Sequence, residues 1–427
     1  MHNPISTLFR DDDVIRIGLI GSSVSLQRES YATHLFELIG RACGRRPVVP
    51  TTILLGGVGS FQSSFLVLDQ LRSMPDLPKL WFVEYSVNDM LRGGSTPSDL
   101  NFPSLYSLHL HRLRDALWQV FWELQSRGCV VRAIHAYADH KREELFWRTP
   151  TRLSAAARAY YGDVVPEKNY IRQAWDDVCD RFSIDGIDVG QIFADSLISG
   201  RHTASELFVD TVHTTRTGGQ LMARIIVRAL ARGGPLEPRR PDASLRPESR
   251  YLFQRVDVDT HFAPGRPMEL FKSQLVSHEF LTILPGEELV NQRRQGELAA
   301  LAVIAGPESG WVALTSDADG TMVKVNLFDA HCFRDRLTVM PIAPALRLPV
   351  TLRTTEGPVD VAAAIERGSR PGGLHDPAKH RRGDSMLRER LDGTRGTTLA
   401  LVGFGIIEPA GSDAPATRAG SPADCEE

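Results

Sequence analysis

The stretch VIRIGLIGSSVSLQRES, residues 14–30, decides the fold. Its opening run, VIRIGLIG, is short, apolar and β-branched, which is the pattern of a buried strand. The run breaks at once into Gly21-Ser22-Ser23, a small-residue turn at the strand's C-terminal end. Such a turn either cradles a phosphate or presents a serine as a nucleophile.

Outward from that turn, strand-like and helix-like segments alternate. YATHLFELIGRAC (31–43) has helical spacing at Leu35, Leu38 and Ile39. VVPTTILLGG (48–57), KLWFVEYSVND (79–89) and CVVRAIHAYA (129–138) read as further strands. LHLHRLRDALWQVFWELQSRG (108–128) is an amphipathic helix, with Leu110, Leu113, Leu117, Val120, Phe121 and Leu124 on one face. A helix around 167–182, a short strand near GIDVGQIF and a last helix from about 217 to 231 follow. Strands alternating with helices predict a parallel sheet covered on both faces, with ligands bound beyond the carboxyl ends of the strands.

The pattern changes after RGGPLEPRRPDASLRPESR (232–250), which is Pro-, Gly- and Arg-rich and reads as a linker. Beyond it lie short strand candidates: RYLFQRVDVDT, ELAALAVIAG, GWVALTSDADGTMVKVNLF, LTVMPIA, PVTLRTT and TTLALVGFGIIE. Asp319-Gly320 between two β-rich runs marks a hairpin. These features predict a β-sandwich of jelly-roll type. Residues 366–396 read as a long charged loop, and the C-terminal residues have a disordered composition. The expected organisation is an α/β domain over 1–235, a linker over 236–249, a β-sandwich over 250–409 and a tail over 410–427.

At 427 residues the chain exceeds one ordinary core, in keeping with two domains. An apolar fraction of 42% and a charged fraction of 24% are those of a globular protein. A net charge of −3 argues against a nucleic-acid partner, which selects for a basic balance. No apolar run approaches the ~18 residues of a membrane helix, so no membrane partner is expected. The opening MHNPISTLFRDDDV places three aspartates where a secretory signal would be apolar, and the expected compartment is cytoplasmic. Cys43, Cys129, Cys179, Cys332 and Cys425 lie far apart without CxxC spacing, which predicts free thiols and no zinc site.

The chemistry is narrowed by exclusion. After Gly57-Val58-Gly59 the next position of a dinucleotide fingerprint is Gln62, and no Gly-Lys-Ser/Thr follows either strand. A Gly-x-Ser-x-Gly elbow is also absent. Toward the end of the α/β segment, LFVDTVHTTRTGG sets Asp210 three residues before His213, just ahead of the last helix. That spacing lets a carboxylate orient an imidazole, which could then take the proton of a serine hydroxyl. The same pair is also an ordinary surface turn. Two strand ends offer oxyanion donors: the Gly59 N–H and the Asn88 amide. Each has a plain alternative, a turn glycine and a helix cap.

Taken together and in chain order, Gly21-Ser22-Ser23-Val24, Gly59, Val87-Asn88-Asp89 and Asp210-Thr211-Val212-His213 resemble the four blocks of the SGNH (GDSL-type) hydrolases. The resemblance spans residues 14–231 and implies a flavodoxin-like three-layer α/β/α fold. It implies Ser23 as nucleophile, His213 as base and Asp210 as its orienting carboxylate. The implied oxyanion hole is the Ser23 N–H, the Gly59 N–H and the Asn88 amide, with Gly57 the second choice of glycine. Ser22 stands where the family has aspartate, which leaves two serines in the turn. Ser86 replaces the glycine before Asn-Asp, and Asp89 is expected to order its loop.

The activity so implied is a serine-dependent ester hydrolase for small acyl esters, O-acetyl groups on saccharides being the first choice. It needs no cofactor and no metal. An O-acetyltransferase of polysaccharide synthesis and a non-catalytic saccharide-binding or assembly protein are the alternatives. Trp311 in ESGWVALTSD is either a sugar-stacking surface or core and interface filling.

Overall fold

The computed structural model describes residues 3–26, 30–56, 58–86, 89, 103–136, 170–209, 213–256, 267–272, 277–328, 332, 335–355 and 398–410. The loop read at 366–396, all but the first residue of the tail, and Cys425 lie outside the described residues.

Five parallel strands form the first sheet: β1 (Ile15–Gly21), β2 (Val48–Leu54), β3 (Leu80–Glu84), β4 (Val130–His135) and β5 (Gly186–Asp188). Their order is β2-β1-β3-β4-β5, the doubly wound arrangement whose ligand crevice opens between β1 and β3. Successive residues of the buried strands β1 and β3 point to opposite faces. Ile15, Ile17 and Leu19 of β1, with Leu80 and Phe82 of β3, face a core closed by α1 (Pro4–Leu8), α3 (Tyr31–Ala42) and α9 (Arg216–Arg232). Ile20, Trp81 and Val83 face the opposite core, with α4 (Ser60–Ser73), α5 (Pro103–Ser126) and α6 (Tyr170–Arg181). The remaining helices, α2 (Ser23–Leu26), α7 (Val189–Ile198) and α8 (Ala204–Leu207), are short elements around the strand ends.

Helix α4 has no counterpart among the sequence expectations, and its burial explains why. Residues 60–68 are buried in succession, so the helix shows no polar stripe and no amphipathic period. Its serines fold back on the helix: Ser63 Oγ donates to Gly59 O at 2.9 Å and Ser64 Oγ to Phe61 O at 2.7 Å.

The C-terminal region is antiparallel. A six-stranded sheet contains β6 (Ser249–Arg255), β7 (Glu269–Lys272), β8 (Ser277–Ile283), β10 (Glu297–Ala305), β13 (Arg336–Arg347) and β15 (Leu399–Pro409). A four-stranded sheet holds β9 (Glu288–Asn291), β11 (Trp311–Ser316), β12 (Met322–Asn326) and β14 (Val350–Thr355). The apolar core between them includes Leu301, Val303, Leu314, Leu352 and Leu401. The hairpin at Asp319-Gly320 forms, with Gly320 at φ +72° and Asp319 Oδ1 accepting the Thr321 N–H.

The central strands β10 and β15 of the six-stranded sheet are buried on both faces. Along β10, Leu298, Leu301 and Val303 point into the sandwich, while Ala299, Ala300, Ala302 and Ile304 join the core under α4 and α5. A register shift between Leu298 and Ala300 lets two successive alanines face the helices. On β15, Gly405 makes room for the Phe65 ring, since a Cβ there would lie 2.9 Å from it. Phe65 in turn stacks on Tyr251 of β6, centroids 4.9 Å apart.

The segment 236–249, expected as a linker, runs closely along the α/β region. Leu236 is buried in the α/β core, Trp118 Nε1 donates to Leu245 O at 2.6 Å, and Gln119 Nε2 donates to Ser249 O at 2.5 Å. Cys43, Cys129, Cys179 and Cys332 are buried and form no disulfide among the described residues. Trp311 is half-buried at the start of β11, alternating with the core-facing Val312 and Leu314, so it belongs to the outer face of the four-stranded sheet. Among the described residues no helix is long and apolar enough to cross a membrane.

Candidate active site

The site begins where β1 ends. Gly21 is in register with Leu54 of β2 and Glu84 of β3, so the turn after β1 sits between the ends of both neighbours. The chain then enters the short helix α2 at Ser23. Ser22 is fully buried, and both its N–H (3.4 Å) and its Oγ (3.0 Å) donate to Glu84 Oε2. Ser23 is half-buried, and its Oγ lies 3.1 Å from His213 Nε2. The two serines of the turn are thereby told apart: one hydroxyl is committed to a buried carboxyl, the other meets an imidazole.

His213 sits on a turn leading into α9. A bridge between Phe208 and Thr214 and a 2.8 Å bond from the Val209 N–H to His213 O close that turn. Thr215 caps α9 by accepting the Gly218 N–H at 3.1 Å. Backbone bonds at His213 and Thr214 therefore hold the imidazole in place. Asp210, expected to orient it, lies outside the described residues, as do Asn88 and Gly57.

The turn after β2 reaches the same place. A Cβ built on Gly56 would stand 4.0 Å from Ser23 Cβ. Gly59 caps the start of α4, and its N–H donates to Gln62 Oε1 at 3.1 Å, so this candidate oxyanion donor is engaged by the first turn of the helix it caps. The next residue is clamped by Asp89, whose carboxylate accepts the Ser60 N–H (2.7 Å) and Ser60 Oγ (2.6 Å). Trp175 Nε1 donates to the same carboxylate at 2.9 Å. Only a glycine fits beside this clamp, because a Cβ on residue 59 would approach Asp89 Oδ1 to 2.4 Å. Asp89 thus ties the end of β3 to the start of α4 and the middle of α6.

Sequence reasoning missed Glu84. It closes the apolar run LWFVE and is fully buried. An acid ending a fully buried strand was the available signal. Burial raises its carboxyl to about 7, opposed by the hydrogen bonds from Ser22 and Ser25 and assisted by the Asp89 charge. Trp175 was missed for another reason: its bond to Asp89 spans 86 residues of chain.

No family model matches the chain, and no curated protein matches its sequence. Solved structures do. A two-domain esterase (CEX) active on acetylated mannans aligns over 95% of this chain and 95% of its own, at TM-score 0.60 and 13% identity. The same esterase co-crystallised with mannopentaose aligns over 95% and 94%, at TM-score 0.62 and 12% identity. Axe2, an acetylxylan esterase from Geobacillus stearothermophilus, aligns over 53% of this chain and 97% of its own, at TM-score 0.37 and 14% identity. The first two alignments show that the order of a parallel α/β sheet followed by antiparallel sheets is an architecture shared along nearly the whole chain.

Proposed function

We propose that the protein is an SGNH-type serine esterase that removes small acyl groups, foremost O-acetyl groups on saccharides. The observation that carries this reading is the 3.1 Å approach of Ser23 Oγ to His213 Nε2 at the carboxyl edge of the sheet. That is the nucleophile–base geometry of acyl transfer. With the Nδ1 nitrogen carrying the ring proton, Nε2 accepts the Ser23 proton as Oγ attacks the ester carbonyl. Asp210 would orient the imidazole and stabilise its charged form. The Ser23 N–H and the Asn88 amide would meet the oxyanion. The Gly59 N–H would join them only on leaving Gln62 Oε1. His213 then protonates the departing alcohol, and water resolves the acyl-enzyme.

The saccharide part rests on likeness of architecture to an esterase active on acetylated mannans, and so on fold-level analogy. The test is a fluorophosphonate probe followed by acetate release from acetylated oligosaccharides, with and without an acceptor sugar. Labelling at Ser23 and acetate release independent of acceptor is the expected result. Acetyl transfer that requires the acceptor would make the protein a transferase, and a chain that neither labels nor turns over would be a binding protein.

A further inference from the structure

Glu84 takes no part in the proton transfers described above, yet it is the most unusual group near the reacting serine. Its Oε2 accepts from Ser22 N, Ser22 Oγ and Ser25 Oγ (3.2 Å), the residues on either side of Ser23. Ser25 Oγ also shares a 2.9 Å bond with Tyr31 OH of α3. Burial keeps that phenol protonated, so it donates to Ser25 while Ser25 donates to Glu84. Oε1, also buried, meets no donor among the described residues. A single carboxyl oxygen therefore gathers the whole turn. The other ionisable groups that act on it or feel it are Asp89, Tyr31 and the adjacent Tyr85.

We propose that Glu84 is the positioning residue of the nucleophile turn: it grips Ser22 and Ser25 and thereby fixes the direction in which the Ser23 hydroxyl meets His213. The inference rests on Ser23 being the nucleophile. A buried carboxyl with three donors on one oxygen is costly to keep unless the geometry it enforces is needed. The ionised form makes charge-assisted bonds, roughly twice as strong as neutral ones, so the grip tightens as Glu84 loses its proton.

The test compares wild type with Glu84→Gln and Glu84→Ala in p-nitrophenyl acetate turnover and fluorophosphonate labelling, from pH 5.5 to 8.5. Glu84→Ala loses the grip, and kcat and the labelling rate fall together by ~10²-fold or more while KM moves little. Glu84→Gln keeps an acceptor oxygen of the same reach and recovers at least ~10-fold of that loss. It mimics the protonated carboxyl, so its kcat ratio to wild type declines as pH rises through 7. Should the alanine variant fail to fold, the isosteric glutamine carries the test alone. A glutamine-to-wild-type ratio that is flat with pH, or a folded alanine variant with wild-type labelling, overturns the proposal. Ser23→Ala separates the two ideas. Wild-type turnover by that variant removes the nucleophile assignment itself, whereas an inactive Ser23→Ala beside unaffected Glu84 variants removes only the positioning role.

Discussion

Ser22 and Ser23 are adjacent in the chain, yet their hydroxyls serve different partners. Ser22 Oγ donates to Glu84 Oε2 at 3.0 Å, and Ser23 Oγ lies 3.1 Å from His213 Nε2. Removing each hydroxyl should have distinct consequences. Ser23→Ala should lower ester turnover by about 10³–10⁶-fold with little change in melting temperature, since its side chain is half-buried and meets His213 rather than the core. Ser22→Ala should cost about 1–3 kcal/mol of stability, the penalty for taking a donor from a buried carboxyl, and lower turnover far less. Melting curves and esterase assays on both variants check this, and equal losses of activity would contradict it.

The start of α4 depends on a close approach. A Cβ on residue 59 would enter the space of Asp89 Oδ1, and the Ser60–Asp89 clamp would have to open. Gly59→Ala is expected to reduce kcat by ~10–10²-fold through displacement of the adjoining turn. Asp89→Asn, which keeps one acceptor for Ser60 but loses the charge, should reduce it less. A Gly59→Ala enzyme with unaltered kcat would show that this turn does not bear on the reaction.

His135, ending β4, is buried beside Trp175, and burial together with the Arg172 charge lowers its imidazole to about 3. The folded protein therefore holds this ring neutral, while the unfolded chain binds a proton below pH ~6.5. Its contribution to stability is present above that value and is lost as pH falls toward 3, by on the order of 1.4 kcal/mol per pH unit. His135→Leu should flatten the acid limb of the stability curve. Urea midpoints at pH 7.5 and 4.5 measure it, and parallel shifts in wild type and variant would refute it.

Phe65 on α4 and Gly405 on β15 were shaped for each other. Phe65→Ala should cost about 3–5 kcal/mol as a buried aromatic deletion. Gly405→Ala should cost about 1–3 kcal/mol by overpacking against the ring. In the double variant the added methyl has space, and the two losses should fall short of their sum by more than ~0.5 kcal/mol. Additive losses in denaturant titrations would argue against direct contact.

Residues 1–235, proposed as the catalytic domain, share a core with the sheet beyond them: Phe61 and Phe65 pack with Tyr251, Ala300 and Val402. Cutting the chain at residue 235 exposes that face. The fragment is expected to aggregate or melt well below the intact protein, and a fragment of unchanged melting temperature would show the two parts to be independent.

Much of the first sheet could be read directly. VIRIGLIG, KLWFV and CVVRAIH are apolar runs ended by polar or small residues, and each is a strand. The hairpin at Asp319-Gly320 and strands β10, β11 and β15 were equally legible, because turn chemistry and apolar runs are local properties. Helix α4 was not, since burial on every side erases the period that marks a helix. Strands β7 and β9 were too short, and β8 too mixed in polarity, to stand out. Ser23 and His213 could be named from their blocks, but Glu84 passed as the end of a strand.

Pairing energies between neighbours along the chain, the turn preferences of glycine and the alternation of apolar side chains are written in the sequence, and they determined the strand–helix order and the change to antiparallel sheets. Which serine faces the imidazole, which carboxyl holds the other, and how α4 is shared between two layers depend on contacts across 62 to 190 residues of chain. Those contacts exist only once the sheet has brought the ends of β1 and β3 side by side, so the tertiary structure alone decided them.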